Sequence, residues 1–369
     1  MSDQRGGGIA WCDETWNPIR GCTVVSPGCA NCYAMRQAAR MAGAGGGYEG
    51  LVRGRRGLGG ESRPIWTGIV RAVPARFADP LRWTRPRRVF VNSMSDLFHE
   101  ALPPETIAAL FAVMALAGQH TFQILTKRPE QARAWFAWAA AQWPRLFPPG
   151  QHEYPPLDSN LVLQFGREDP DFRRRLDDVG ETDAAPWPLP NAWVGVSAED
   201  QRRADERIPQ LLELPAAVRW VSLEPLLGPI SMAGWLSAPR GITAPPSQPL
   251  IRDPAGTYLD WVVVGGESNP GARPCDVAWI RAIVRQCAEA GVPCFVKQLG
   301  ANVVTRNDDG VAGGEQGGWP NRRDGSDPIV EALTPQGYQG DPARIYLEDP
   351  KGADPAEWPE DLRRRRFPR

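Results

Sequence analysis

The chain has 369 residues, 42% of them hydrophobic and 23% charged, with a formal net charge of -1. That length and balance suit one large barrel or two smaller domains and exclude a disordered or fibrous chain. There is no global basic field to draw the whole protein onto nucleic acid, so any such binding must be local.

Residues 1–8 are polar and glycine-rich, and no later stretch approaches the roughly 18 apolar residues that a membrane span needs. The expected location is therefore the cytoplasm. Of seven cysteines, an odd number, Cys12, Cys22, Cys29 and Cys32 crowd near one end. This fits a reducing compartment better than a disulfide framework.

The most informative stretch is Asn17-Pro18-Ile19-Arg20-Gly21-Cys22, continuing through Ser26-Pro27-Gly28-Cys29-Ala30-Asn31-Cys32 into a predicted helix over 34–42. Cys29 and Cys32 are spaced to converge on one centre, and the Ser26-Pro27-Gly28 turn can bring Cys22 back as a third ligand. Three thiolates suit a soft metal or an iron-sulfur cluster. With Cys12 as a fourth ligand the set would instead be a closed structural zinc site. Spacing leaves both readings open. Cys287 and Cys294 read as core.

Residues 43–60, rich in glycine and arginine, read as a mobile loop whose Arg53-Gly54-Arg55-Arg56 could touch phosphate. The chain then repeats one arrangement, in which a short apolar strand ends in a polar cluster and a helix follows. Strands are expected at 89–91, 122–125, 192–196, 218–223, 261–264 and 293–296, and helices at 104–117, 129–143, up to 214, and 276–290. Pro103-Pro104 and Gly118 punctuate the first of these helices.

Strands alternating with helices predict an α/β fold, a partial or full (βα) barrel with loop insertions. In such barrels catalytic groups sit where strands end. Lys127, Glu224, Glu267 and Lys297 closely follow apolar strands and are the candidate catalytic residues; Arg128, Arg273 and Gln298 are candidates for holding substrate. If the barrel closes, Lys127, Arg128, Arg273 and Lys297 outnumber Glu224 and Glu267 at one mouth, which predicts an anionic substrate.

The barrel is expected over residues 1–300, with inserts at about 144–190 and 237–258, and a loop-rich extension over 301–369 packs on it. The tail run Arg363-Arg364-Arg365-Arg366 reads as solvated. Trp135, Trp138 and Trp143 recur on helical faces and read as core. Three histidines, His99, His120 and His152, are too few for a histidine-rich metal site, and Gly265-Gly266 is neither a Walker loop nor a dinucleotide fingerprint.

Gly21-Cys22 with Cys29-Ala30-Asn31-Cys32-Tyr33-Ala34 resembles the cluster loop of radical S-adenosylmethionine (SAM) enzymes, and the Asn17-Pro18 lead-in is similar to the spore photoproduct lyase-like branch. Six residues separate Cys22 from Cys29, where most of that superfamily has three. A wider set resembles a family of uncharacterised proteins common in phages and prophages, usually grouped as radical-SAM-like. It comprises Trp16-Asn17-Pro18, Asn92-Ser93-Met94-Ser95-Asp96, Leu125-Thr126-Lys127-Arg128-Pro129, Glu224-Pro225-Leu226, Gly265-Gly266-Glu267-Ser268 and Lys297-Gln298.

The resemblance implies a barrel of the radical SAM or TIM type and a [4Fe-4S] cluster on Cys22, Cys29 and Cys32, with S-adenosyl-L-methionine bound at the open iron. It implies SAM contacts from Ser93, Ser95 and Asp96, and an electron donor such as a flavodoxin or ferredoxin. Reductive cleavage of SAM would give a 5′-deoxyadenosyl radical that abstracts hydrogen from the substrate. A nucleotide or nucleic acid is the first expectation for that substrate. The competing expectation is a zinc-stapled, phage-associated module that binds nucleic acid without catalysis.

Overall fold

The six expected apolar runs all form parallel strands, because each is too short for a helix and is rich in branched or aromatic side chains that pack on a pleated surface, and a seventh strand joins them. The computed structural model describes residues 9–43, 45–56, 62–146, 187–236, 258–305, 329–332 and 343–368. In chain order the strands of the main sheet are β1 (Glu14–Trp16), β6 (Arg88–Val91), β7 (Thr121–Thr126), β8 (Ala192–Ser197), β9 (Val218–Leu223), β10 (Trp261–Gly265) and β12 (Cys294–Gln298). All five positions of β10 are buried, as a parallel strand covered on both faces requires.

The strand order is β1-β6-β7-β8-β9-β10-β12. It never reverses, unlike the order of a doubly wound sheet. The parallel sheet is curled into a half-barrel and flanked by helices. The expected partial (βα) barrel is therefore present in its coarse form. The strand missing from the sequence reading is β1, three residues without a clear period; it enters the sheet by pairing Trp16 with Val91.

Five α-helices are described: α1 (Tyr33–Met41), α2 (Pro104–Leu116), α3 (Pro129–Leu146), α4 (Gln201–Leu212) and α5 (Val277–Ala290). α2 starts at a proline and is buried at every position from Thr106 to Met114. α5 is capped at both ends: the Asp276 carboxylate accepts from Ala278 N at 3.0 Å, and Gly291 takes a left-handed φ of 69°. An N-cap of this kind contributes about 1 kcal/mol. No helix of the described residues is long and apolar enough to cross a membrane.

The chain divides into two compact units. The first comprises residues 1–25, 32–196 and 213–218. Its aromatic core gathers Phe98, Phe111, Trp135, Phe136 and Trp187, with the Phe111 and Trp135 rings 4.3 Å apart. Trp135 is thus core, as expected. Within the segment expected to be a loop at 43–60, Val52–Arg56 is instead a strand, β3, which pairs with β4 (Ser62–Trp66) in an antiparallel ribbon. It folds because Val52, Leu51 and Trp66 pack with Ala34, Met35 and Ala38 of α1 and with Tyr48. A further two-stranded pair joins β2 (Ile19–Arg20) to β5 (Arg71–Ala72).

The second unit comprises residues 26–31, 197–212 and 219–369. Besides β10, β12, α4, α5 and nearly all of β9, it holds a four-stranded sheet in the order β11-β13-β15-β14. These strands are Cys275–Asp276, Val303–Thr305, Ala343–Tyr346 and Ile329–Ala332. Part of the expected loop-rich extension is therefore sheet. Arg363 to Arg366 are exposed as expected, yet their backbone pairs along β12: Val296 N donates to Arg364 O at 2.7 Å and Arg366 N to Cys294 O at 3.0 Å. This covers an edge that would otherwise expose unpaired strand. Cys287 and Cys294 are both buried. The inserts at 144–190 and 237–258 fall almost wholly outside the described residues, as does His152.

Candidate functional site

In the first unit the groups converge at the ends of β6 and β7. Asn92 ends β6 in a left-handed conformation (φ 60°) and is buried, and its Oδ1 accepts from Ile19 N at 3.3 Å. Asparagine tolerates this strained geometry better than most residues. Ser93 Oγ bonds Asn17 Oδ1 at 3.1 Å, and Ser95 Oγ donates to Ile19 O at 2.9 Å. The motifs Trp16-Asn17-Pro18 and Asn92-Ser93-Met94-Ser95 are thereby joined.

Asp96 is fully engaged. One carboxylate oxygen accepts from Phe98 N at 3.1 Å and Thr126 Oγ1 at 2.7 Å; the other accepts from Lys127 N at 3.0 Å and Arg128 Nη1 at 2.9 Å. Four bonds use the lone pairs of a carboxylate. Its role in the fold is to fix the end of β7. Arg128 and Asp96 are each 6% exposed, and Arg128 Nε also reaches Glu100 at 2.8 Å. Burial disfavours the guanidinium charge, but Asp96, Cys22 and Glu100 outweigh that and raise its pKa. Arg128 Nη1 lies 3.8 Å from Cys22 Sγ, and its other nitrogen bonds Thr23 Oγ1. His99 Nδ1 accepts from Ala101 N at 3.1 Å, which leaves Nε2 to donate to Thr23 Oγ1 at 3.1 Å. Cys22 and Thr23 are thus held from several sides.

In the second unit two carboxylate–arginine pairs grip the segment 26–31. Glu199, fully buried and paired with Arg207 at 3.1 Å, accepts from Gly28 N at 2.9 Å. A Cβ on Gly28 would meet that carboxylate at 3.0 Å, which is why a glycine stands there. Glu267 accepts from Arg273 at 2.7 Å and from Asn31 Nδ2 at 3.0 Å, while Arg273 Nη1 donates to Pro27 O at 2.9 Å. Asn269 Nδ2 completes the grip on Asn31 O at 2.9 Å. Burial pushes the Glu267 carboxyl up, but the bonds from Arg273 and Asn31 prevail and hold it below the usual carboxylate range.

The ends of β9 and β12 form a third group in the same unit. Glu224 Oε1 accepts from Lys297 Nζ and from Gln298 Nε2, both at 2.6 Å, and Lys297 and Glu224 are each 19% exposed. Three of the four cations expected at the strand ends stand against carboxylates. Arg128 is neutralised by Asp96 and Glu100, Arg273 by Glu267 and Lys297 by Glu224.

Glu199 was the residue that strand-end reasoning passed over, although it closely follows the apolar strand β8 just as Glu224 follows β9. Its partner Arg207 lies eight residues on, within α4, and carries no local signal. Asn31 was visible only as the spacer in Cys29-Ala30-Asn31-Cys32.

All seven cysteines are free; Cys22, Cys29 and Cys32 are partly exposed, and Cys12, Cys275, Cys287 and Cys294 are buried. Cys12 Sγ contacts Ile9 O at 3.6 Å. Cys22 stands beside a guanidinium, and Cys32 is the N-cap of α1. Both are fields that favour an anionic sulfur, the form that binds metal. The donor chemistry of the three thiols therefore fits a soft metal or iron-sulfur group. Among the described residues, no three His, Cys, Asp or Glu side chains are gathered closely enough to hold an ion.

A family model described as a protein of unknown function, DUF5131, matches residues 6–324. No curated protein and no solved structure matches the chain significantly.

Proposed function

We propose that the chain, which belongs to the DUF5131 family of proteins of unknown function, is an enzyme of the radical SAM type. Cys22, Cys29 and Cys32 would hold a [4Fe-4S] cluster with SAM as cofactor. The observation that carries this reading is the separation of the cysteines into three partly exposed thiols within eleven residues and four buried ones. When bound, the cluster supplies the electron that cleaves SAM.

The chain's own residues then have distinct tasks. Arg128 offsets negative charge at Cys22, while Glu199, Glu267 and Arg273 hold the backbone that carries Cys29. Ser93 and Ser95 are committed to Asn17 and Ile19, yet each hydroxyl keeps acceptor capacity for a cofactor amine. Lys297 and Glu224, partly exposed and joined through Glu224 to buried Gln298, would orient a polar substrate atom. A flavodoxin or ferredoxin would deliver the electron. Since Arg128, Arg273 and Lys297 are paired, support for an anionic or nucleic-acid substrate comes from elsewhere in the first unit, as argued below.

The test is anaerobic purification, iron and sulfide analysis, and incubation with SAM and a strong reductant. The expected result is a brown protein that yields 5′-deoxyadenosine and methionine. A fully loaded cluster that yields neither overturns the proposal, and a colourless protein containing zinc favours the binding module instead.

A further inference from the structure

Residues 33–76 carry eight arginines and two glutamates, a formal charge of +6 in a chain whose total is -1. Much of this charge sits on one small element. In the β3–β4 ribbon Arg55 is directly opposite Arg63, and Arg53 is two residues from Arg55. Residues two apart on a strand share a face, as do directly opposed residues. Arg53, Arg55 and Arg63 therefore stand on one face, and all three are exposed. From the ribbon's other face Trp66, buried, and its partner Val52 pack into the cluster with α1.

Opposed like charges destabilise a ribbon by roughly 0.2–1 kcal/mol per pair. Trp66 and Val52 on one face, and Ile65 beside Arg53 on the other, pack with the cluster, so stability comes from these apolar residues and not from the arginines. Among the described residues no carboxylate pairs with Arg53 or Arg55. A two-stranded ribbon fits the major groove of B-form DNA, whereas the A-form major groove of RNA is too deep and narrow for side chains to read. We propose that the Arg53–Arg55–Arg63 face of the β3–β4 ribbon is a docking surface for double-stranded DNA, held through its phosphates. This goes beyond the cofactor reading and does not depend on it.

The experiment is a fluorescence anisotropy titration of the full chain, without SAM or reductant, against a labelled duplex of about 20 base pairs. Each phosphate contact contributes a slope of about -0.9 in log affinity against log salt. Three contacts therefore weaken binding about 40-fold between about 50 and about 200 mM salt. Replacing all three arginines with glutamine should make the slope shallower by about 2.7, and Arg53→Gln or Arg55→Gln alone by about 0.9 each. The single variants keep the test valid if the triple variant fails to fold. Arg202→Gln on α4 should change nothing.

Absence of duplex binding, a slope unmoved by the arginine variants, or equal affinity for double-stranded RNA or anionic phosphatidylserine vesicles would overturn the proposal. SAM cleavage measured separately stands or falls without reference to this outcome.

Discussion

Arg128 and Glu199 each stand in a buried ion pair whose partner would be stranded by a single substitution. Deleting one member of such a pair costs about 3–5 kcal/mol, because the remaining charge cannot reach water. Arg128→Met is expected to lower stability by about that amount, since Asp96 loses its guanidinium at 6% exposure. A urea midpoint corresponding to less than about 1 kcal/mol would show that Asp96 is satisfied by Thr126 and the backbone alone. Glu199→Ala should be as severe, because Arg207 would remain buried. Glu199→Gln keeps the volume but loses the charge, and it loosens the hold on Gly28. The expected result is faster alkylation of Cys29, read by peptide mass mapping, with the rate at Cys287 unchanged.

Elements in this fold are secured by edges and ends as much as by their faces. The tail strand is held by Phe367, whose ring lies 5.4 Å from Trp261 and 5.2 Å from Phe295. Phe367→Ala should cost about 2–4 kcal/mol and raise hydrogen exchange along β12, where Val296 N donates to the tail. A loss confined to the last residues would show that β12 does not need this cover.

Two buried histidines next to the helices give stability a pH dependence. His120 accepts from Arg87 N through Nδ1 and donates to Pro80 O from Nε2. Burial lowers the pKa of His99 and of His120 below 6.5. The unfolded chain therefore binds more protons just below that pH, and the stabilisation is complete above about 6.5 and lost as pH falls. Each histidine adds a slope of at most about 1.4 kcal/mol per pH unit. Denaturation at several pH values from about 5 to 8 checks this, and a flat profile would contradict it.

For the molecule as a whole the decisive measurement is which thiols are needed for metal. Replacing Cys22, Cys29 or Cys32 with alanine should abolish iron and sulfide binding, whereas Cys12→Ala should leave most of it, because Cys12 is only 8% exposed and turned to Ile9 O. Equal loss from all four variants would indicate a closed site with four cysteine ligands. The chain's charge is also segregated, with +6 in residues 33–76 and a compensating excess of acids elsewhere. A total near zero thus conceals a strongly basic ribbon.

The sequence by itself determined the alternation of strands and helices, because apolar runs of three to six residues and the proline and glycine that bound them are local signals. It also marked the cysteine loop and the polar strand ends. The ribbon of β3 and β4 escaped it, since glycine and arginine disfavour a strand locally and only packing of Val52 and Trp66 against α1 stabilises the pair. The same holds for the tail, whose arginines reveal nothing of a backbone that pairs with β12. Above all, the charges at the strand ends read as an unpaired excess. Lys297 and Glu224 are 73 residues apart in the chain, and Arg128 and Asp96 are 32 apart. Which cation meets which carboxylate depends on strand order and burial, so only the tertiary structure could decide it.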